Sequence, residues 1–350
     1  MRIAILGYAH PFGEGTYYGA ECEIYYLIRE LKEMGHECVV FSVEGCNLPG
    51  FKFVELSKGW DDTKDIYKSA VMDWGDTYFD VIQSYQASGF IEWGFWKQQP
   101  YCLEPFFQFH GFRENVIAYS KRLRALNEDQ STVIYFGLPM DLYPDFLEES
   151  DDYLVWIGRI DMGKAPDIAI EVAKRAKKRL ILMGPAYHYP YFVEKIWPHV
   201  DDEQIIWLRA VDDEIKQKVM RKAKGFLSTN WAEYHEMFGI TNIEALACGV
   251  PVIGWGHATL PSAINFEGGE IITHGKHGFL NLYSDYSDAE RERSIDKAVE
   301  YVNAIDDISR HDCRQLFLDR FTARTMAEKH VAYWNIIRER GLVYDVTGEI

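Results

Sequence analysis

The hydrophobic pattern of the chain alternates between short solid apolar runs and longer stretches with apolar residues every three or four positions. The first kind predicts buried strands, the second helices with one buried face. Residues 3–7 (IAILG) predict a strand closed by glycine, and residues 21–34 a helix with Ile24, Leu27, Ile28 and Leu31 on one side. Gly35 stops that helix, and residues 38–43 predict the next strand. Such a strand–loop–helix–strand opening begins a doubly wound parallel sheet, whose ligands bind beyond the carboxyl ends of the strands. Short strands follow at 78–82, 105–109, 116–120 and 133–137, whereas 47–77 shows no usable pattern. A second series starts at 153–160 (YLVWIGRI) and runs into a helix from Pro166, a residue suited to a first turn. In that helix Ile168, Ala169, Val172 and Ala173 face inward. Elements at 179–183, 189–196, 204–208, 212–222 and 225–228 continue the alternation, which predicts a second Rossmann-like sheet. Helices are expected at 296–305 and 322–340. The acidic stretch 147–152 (LEESDD) is the expected linker, dividing the chain into domains 1–147 and 148–329 with a terminal helix at about 330–350.

One stretch, 230–255, combines this pattern with chemistry: NWAEYHEMFGITNIEALACGVPVIGW. It predicts a loop, a helix over 240–248, a stop at Gly249 and Pro251, and a buried strand at 250–253. Glu236 stands just ahead of the helix and Glu244 eight positions later, about two turns on. The free N–H groups near Phe238 to Thr241 would face an anion placed there. A ligand with hydroxyls at both ends and phosphates between suits this spacing, although solvated glutamates on an amphipathic helix would give it too. Arg159 at the end of one strand and Lys164 at the start of the next helix can converge on a diphosphate, one as a planar fork and one as a point charge.

Composition narrows the classes. The chain has 350 residues and a formal net charge of −17, which disfavours a nucleic-acid groove or an electrostatic grip on anionic lipid. Residues 1–150 hold 12 Lys and Arg against 23 Asp and Glu, so most of the excess lies in the first half. The six cysteines are scattered without a C-x-x-C pair, which makes a reducing cytosol the default and a cytoplasmic protein the expectation. No stretch reaches the roughly 18 apolar residues of a membrane span.

The string Glu236-MFGITNI-Glu244, followed by ALACGVPVI, resembles the E-x7-E donor signature of retaining glycosyltransferases of family 4. Further matches follow the family order along nearly the whole chain. Gly158 to Asp167 resembles its G-R-x4-K-x-x-D element, Tyr18-Gly19-Ala20-Glu21 its Gly-Gly-x-Glu loop with one glycine replaced by tyrosine, and His110-Gly111 its histidine facing the donor sugar. Gln83 stands where the family often has a second histidine.

The resemblance implies a GT-B fold, two Rossmann-like domains across a deep cleft with the C-terminal helix crossing back to the first. It implies a retaining transfer of a sugar from a nucleotide-diphosphate sugar to a carbohydrate or other hydroxyl acceptor. Arg159, Lys164 and the amides of Met237, Phe238, Gly239, Ile240 and Thr241 would hold the diphosphate, with Gly19 bringing its amide to the same group. Glu244 would take the ribose hydroxyls, Glu236 the sugar hydroxyls, and His110 would touch the sugar. The catalytic set is then Glu236, His110, Arg159 and Lys164. No D-x-D triplet occurs, so no metal and no other cofactor is expected. Three other readings stay open. A nicotinamide oxidoreductase would use the Gly13–Gly19 loop and Glu44. The others are a GT-B epimerase or phosphorylase, and a nucleotide-sugar binding protein without catalysis.

Overall fold

The computed structural model describes residues 1–7, 10–14, 19–56, 79–85, 100–104, 114–126, 131–231, 236, 238–258 and 270–350. The chain divides into two compact units, Met1–Pro139 with Arg320–Ile350, and Met140–Asp319.

In the first unit β1 (Arg2–Leu6), β2 (Glu37–Ser42), β3 (Lys52–Glu55), β4 (Val81–Ser84) and β5 (Tyr101–Leu103) form a parallel sheet in the order β3-β2-β1-β4-β5. Ile3 pairs with Cys38 on one side and Val81 on the other. Both faces of β1 are covered, so its side chains from Ile3 to Leu6 are fully buried, the condition that selects solid apolar runs. Helix α1 (Gly19–Glu33) buries Ile24, Leu27, Ile28 and Leu31, the face its spacing predicts. A two-stranded parallel ladder, β6 (Ile117–Ala118) and β7 (Thr132–Val133), continues beyond β5. The strand expected at 105–109 lies outside the described residues; β5 precedes it at Tyr101–Leu103. Of the 47–77 stretch, residues 57–77 lie outside the described residues, and 52–55 form β3, an edge strand with exposed ends and a half-buried middle.

The second unit holds a six-stranded sheet, β10-β9-β8-β11-β12-β13, parallel at every pairing. Its strands are β8 (Tyr153–Ile157), β9 (Arg179–Met183), β10 (Ile205–Trp207), β11 (Gly225–Ser228), β12 (Val252–His257) and β13 (Gly278–Tyr283). The helices are α2 (Pro166–Arg175), α3 (Asp213–Lys222), α4 (Ile240–Ala247), α5 (Asp288–Asn303) and α6 (Arg310–Arg320). The expected helix at 189–196 splits into a turn of α-helix, Tyr189–Tyr191, and a π segment, Phe192–Ile196. Helix α5 starts eight residues before the expected 296, because Ser287 caps it by accepting from the Glu290 amide at 3.2 Å. The last helix, α7 (Ala323–Arg340), lies in the first unit and is capped by Thr322. Among the described residues no helix is long and apolar enough to cross a membrane.

The division falls at Pro139/Met140, ahead of the acidic 147–152 stretch, because residues 143–147 are tied to the second unit. Arg314 donates to the Tyr143 carbonyl at 2.8 Å and Arg310 to that of Leu147 at 2.7 Å.

Candidate active site

In the second sheet the strand order reverses at β8, which has β9 on one side and β11 on the other. The loops leaving the carboxyl ends of β8 and β11 are therefore neighbours, and an open α/β sheet binds ligands in such a place. The two loops are stitched together. Trp156 Nε1 donates to Thr229 Oγ1 at 2.8 Å, and that hydroxyl donates to the Lys164 carbonyl at 2.7 Å. The Trp231 amide donates to the Gly163 carbonyl at 3.0 Å. Close approach of β9 completes the floor: a Cβ on Gly184 would stand 1.8 Å from the Gly158 carbonyl oxygen, so that position needs glycine.

This stitching brings Lys164 and Glu236 together in an ion pair between Nζ and Oε2, with both side chains mostly buried. Gly239 caps α4 in a left-handed conformation, φ 82°. A Cβ there would meet Asn242 Nδ2 at 2.4 Å and Glu236 Cγ at 3.1 Å, so the glycine lets the loop carrying Glu236 close over the first turn of α4. The helix start therefore presents backbone amides and its positive dipole end beside an ammonium and a carboxylate. Asn242, fully buried in that turn, has neither amide atom paired among the described residues.

Arg159 leaves the same β8 loop but lies elsewhere. Its guanidinium is over the Tyr187 ring, 4.8 Å from the centroid, and 3.6 Å from Asp161, beyond hydrogen-bond reach. It is partly exposed and loosely held. Asp161 is occupied with the loop itself, accepting from the Lys164 amide at 2.9 Å.

Glu244 is buried in α4, and one of its oxygens is fully engaged. Oε1 accepts from Lys216 Nζ at 2.6 Å and from the Tyr143 hydroxyl at 2.8 Å. Among the described residues Oε2 is left open. Burial works against the Lys216 ammonium, but Glu244 and Asp213 outweigh it and hold its pKa above the ordinary lysine value. Tyr143 and Lys216 were not picked out by the sequence reading; neither belongs to a local pattern, and they reach Glu244 only through the fold. The end of α4 is a Schellman motif: the Val250 amide donates to the Ala245 carbonyl at 2.8 Å and the Gly249 amide to that of Leu246 at 2.9 Å, with Gly249 at φ 66°. Arg314 donates to the Ala247 carbonyl, and Arg310 to that of Cys248 at 3.3 Å. The helix is thus held rigidly at the end away from the site.

Of the remaining expected site residues, Phe238 is buried, and Ile240 and Thr241 open α4. Gly19 is the exposed first residue of α1 in the first unit. His110 and Met237 lie outside the described residues. Gly13, counted in the nicotinamide reading, has a structural reason: it bridges Asn47, and a Cβ there would stand 2.0 Å from the Asn47 carbonyl oxygen.

Two parallel Rossmann-like sheets, the second carrying a cation, a carboxylate and a helix start at its reversal point, define a GT-B fold. Solved structures agree over nearly full length. AviGT4, a glycosyltransferase involved in Avilamycin A biosynthesis, is 16% identical, with 98% of this chain and 99% of that one covered at a TM-score of 0.70. The sucrose-phosphate synthase from Thermosynechococcus elongatus is 16% identical, with 96% and 98% covered and a TM-score of 0.71. The Anabaena protein HepE, solved in complex with UDP-glucose, is 16% identical, with 96% and 100% covered and a TM-score of 0.65. Residues 151–293, which hold Lys164, Glu236, Lys216 and Glu244, match the family described as glycosyl transferases group 1, and this supports a glycosyltransferase. No curated protein matches the chain.

Proposed function

We propose that the chain is a retaining glycosyltransferase of family 4 type, which moves a sugar from a nucleotide-diphosphate sugar to an acceptor hydroxyl without a metal ion. The observation that carries this reading is the meeting of Lys164, Glu236 and the Gly239-capped start of α4 at the reversal point of the second sheet. The family match over 151–293 and a neighbour solved with UDP-glucose support it.

In this mechanism the bond between C1 of the sugar and the phosphate oxygen breaks while the acceptor oxygen bonds to C1 on the same face. Negative charge grows on the diphosphate, and Lys164, Arg159 and the amides of residues 238–241 stabilise it where it develops. The departing phosphate oxygen takes the acceptor proton. Arg159, now resting on Tyr187, turns to the diphosphate when the donor enters. Glu236 exchanges its contact with Lys164 for the sugar hydroxyls, and Glu244 uses its open oxygen for the ribose. His110 and Met237, as the resemblance implies, complete the sugar and phosphate contacts. The absence of a D-x-D triplet suits transfer without a metal ion, the scattered cysteines suit a cytoplasmic enzyme, and the negative charge suits a carbohydrate or other hydroxyl acceptor rather than nucleic acid.

A thermal-shift screen against UDP, GDP, ADP and their sugars tests donor binding, since a ligand at 100-fold its Kd stabilises by about 2.7 kcal/mol. The best sugar nucleotide is then incubated with the enzyme and the anomeric configuration of the product read by NMR. A nucleotide-sugar that shifts the melting temperature and gives a retained product is expected. Absence of any nucleotide-dependent shift, or an inverted product, overturns the reading.

A further inference from the structure

A second polar cluster lies in the first unit. Glu23 on α1, Glu104 immediately after β5 and His330 on α7 are all but fully buried, at 1%, 1% and 0% exposure. One oxygen or nitrogen from each lies within 4.8 Å of the other two.

The hydrogen bonds around this cluster leave two of its carboxylate oxygens unmatched among the described residues. His330 Nδ1 is 2.9 Å from the Met326 carbonyl oxygen, and a carbonyl only accepts, so Nδ1 carries the ring proton. A ring with only that proton turns the Nε2 lone pair toward Glu104 Oε2, 3.0 Å away. Two acceptors at that distance need a positive centre between them. Trp334 Nε1 donates to Gln83 Oε1 at 3.0 Å, which fixes the amide so that Nε2 donates to Glu104 Oε2, also at 3.0 Å. The Tyr85 hydroxyl donates to Glu23 Oε1 at 3.2 Å. These donors are neutral, so two buried carboxylates have no compensating charge from them. Among the described residues Glu23 Oε2 and Glu104 Oε1 are buried with no partner. A single proton between Nε2 and Oε2 would satisfy that contact but leave both oxygens bare.

We propose that Glu23, Glu104 and His330 are the ligands of a buried divalent metal ion, zinc(II) in class, with a structural role. Two carboxylates, a neutral imidazole and a divalent cation sum to zero charge. Zinc takes imidazole nitrogen and carboxylate oxygen at about 2.0–2.2 Å, which puts adjacent ligand atoms roughly 3 Å apart, as Nε2 and Oε2 are. Magnesium and calcium prefer all-oxygen shells. A ligating histidine ordinarily donates its other ring nitrogen to a carbonyl or carboxylate, and His330 does so. The ion would cross-link α1, the end of β5 and α7, elements far apart in sequence. It is separate from Lys164 and Glu236, which belong to the second unit, so this proposal stands or falls independently of the transferase reading.

The experiment uses full-length protein without a histidine tag, expressed in medium supplemented with zinc, manganese and iron salts and then desalted. Metal content by plasma mass spectrometry should reach about one zinc per chain. Stripping wild type with dipicolinate should lower its melting temperature by several degrees, and zinc chloride should restore it. Glu23→Gln, which keeps every histidine and cysteine, should hold less than a tenth of an equivalent and melt at the same temperature with and without zinc. If that variant fails to fold, His330→Gln serves, and the wild-type metal content decides on its own. Metal below a tenth of an equivalent in wild type, with melting indifferent to zinc, overturns the proposal and leaves protons as what holds the cluster. Equal metal in wild type and Glu23→Gln also overturns it, by placing the ion elsewhere.

Discussion

Replacing Lys164 with methionine tests the donor site most directly, because it keeps the stem of the side chain and removes only the charge. Two effects are separable. In the free enzyme Lys164 pairs with Glu236, their side chains 19% and 13% exposed. Exposed pairs contribute about 0.2–1 kcal/mol, while removing one partner of a fully buried pair costs about 3–5. A pair of intermediate burial therefore places the loss of stability for Lys164→Met at roughly 1–2 kcal/mol, read as a shift of the urea midpoint. Changing Glu236 to glutamine in the same chain should recover most of that loss, since no carboxylate is then left unpaired. Catalysis behaves differently. A donor that meets charge developing in the transition state is worth about 10²–10³ in kcat, and no change at Glu236 restores it. The assay follows nucleotide release from the best sugar nucleotide, with kcat and KM measured for wild type, both single variants and the double variant. Recovery of stability without recovery of kcat is the expected signature. If Lys164→Met keeps kcat within about threefold of wild type, or the double variant regains it, Lys164 only positions Glu236 and the proposed mechanism is wrong.

The other predictions concern the supports of that site and the frame around it. Lys216→Met removes the ammonium that holds Glu244 Oε1 at 2.6 Å; the donor KM should rise about tenfold, roughly 1.4 kcal/mol, with kcat changed less, and an unchanged KM would deny Glu244 a part in donor binding. Gly239→Ala forces a Cβ into the left-handed region at φ 82° and against Asn242; backbone strain of about 1–2 kcal/mol is expected, and activity should fall further than stability, as unfolding curves set beside turnover will show. Glu290 has its carboxyl lowered from 4.5 to about 2, chiefly by its hydrogen bonds with Arg293. Its folded pKa lies below the unfolded one, so its contribution is complete above pH 4.5 and is lost as pH falls through about 2. Glu290→Gln should therefore melt below wild type at pH 6, with the gap narrowing below pH 4, and a gap independent of pH would contradict the assignment. Minutes of exposure to excess EDTA should leave turnover intact if the transfer proceeds without a metal as proposed; immediate loss restored by magnesium or manganese would count against this.

Legibility followed the physics of each element. The run 225–228 is buried in a parallel sheet on both faces and 179–183 mostly so after its exposed first residue, and their strands have those same bounds. The stop at Gly249 and Pro251 was readable because a Schellman turn demands a left-handed residue and proline cannot extend the helix. Strand β3 was not readable, since an edge strand reading KFVE needs few apolar positions. Helix α6 was missed because Arg310 and Arg314 turn inward to satisfy carbonyls at the ends of α3 and α4, which breaks the amphipathic pattern. The early start of α5 was within reach, as Ser287 and Glu290 have the S-x-x-E spacing of a helix cap.

The site shows where such reading gains force. Lys164 and Glu236 are 72 residues apart, and no local spacing makes them partners. Strand order does. Once β8 and β11 are taken as adjacent parallel strands, the loops after their carboxyl ends must meet, and each loop holds one member of the pair. The contact follows from topology rather than from motif, whereas Lys216 reaches Glu244 from α3, which precedes β11 on the surface of the sheet. A residue that follows a switch-point strand is placed by the backbone rule; one that reaches in from a neighbouring helix is placed by packing. That difference is why the first kind of functional residue was legible here and the second was not.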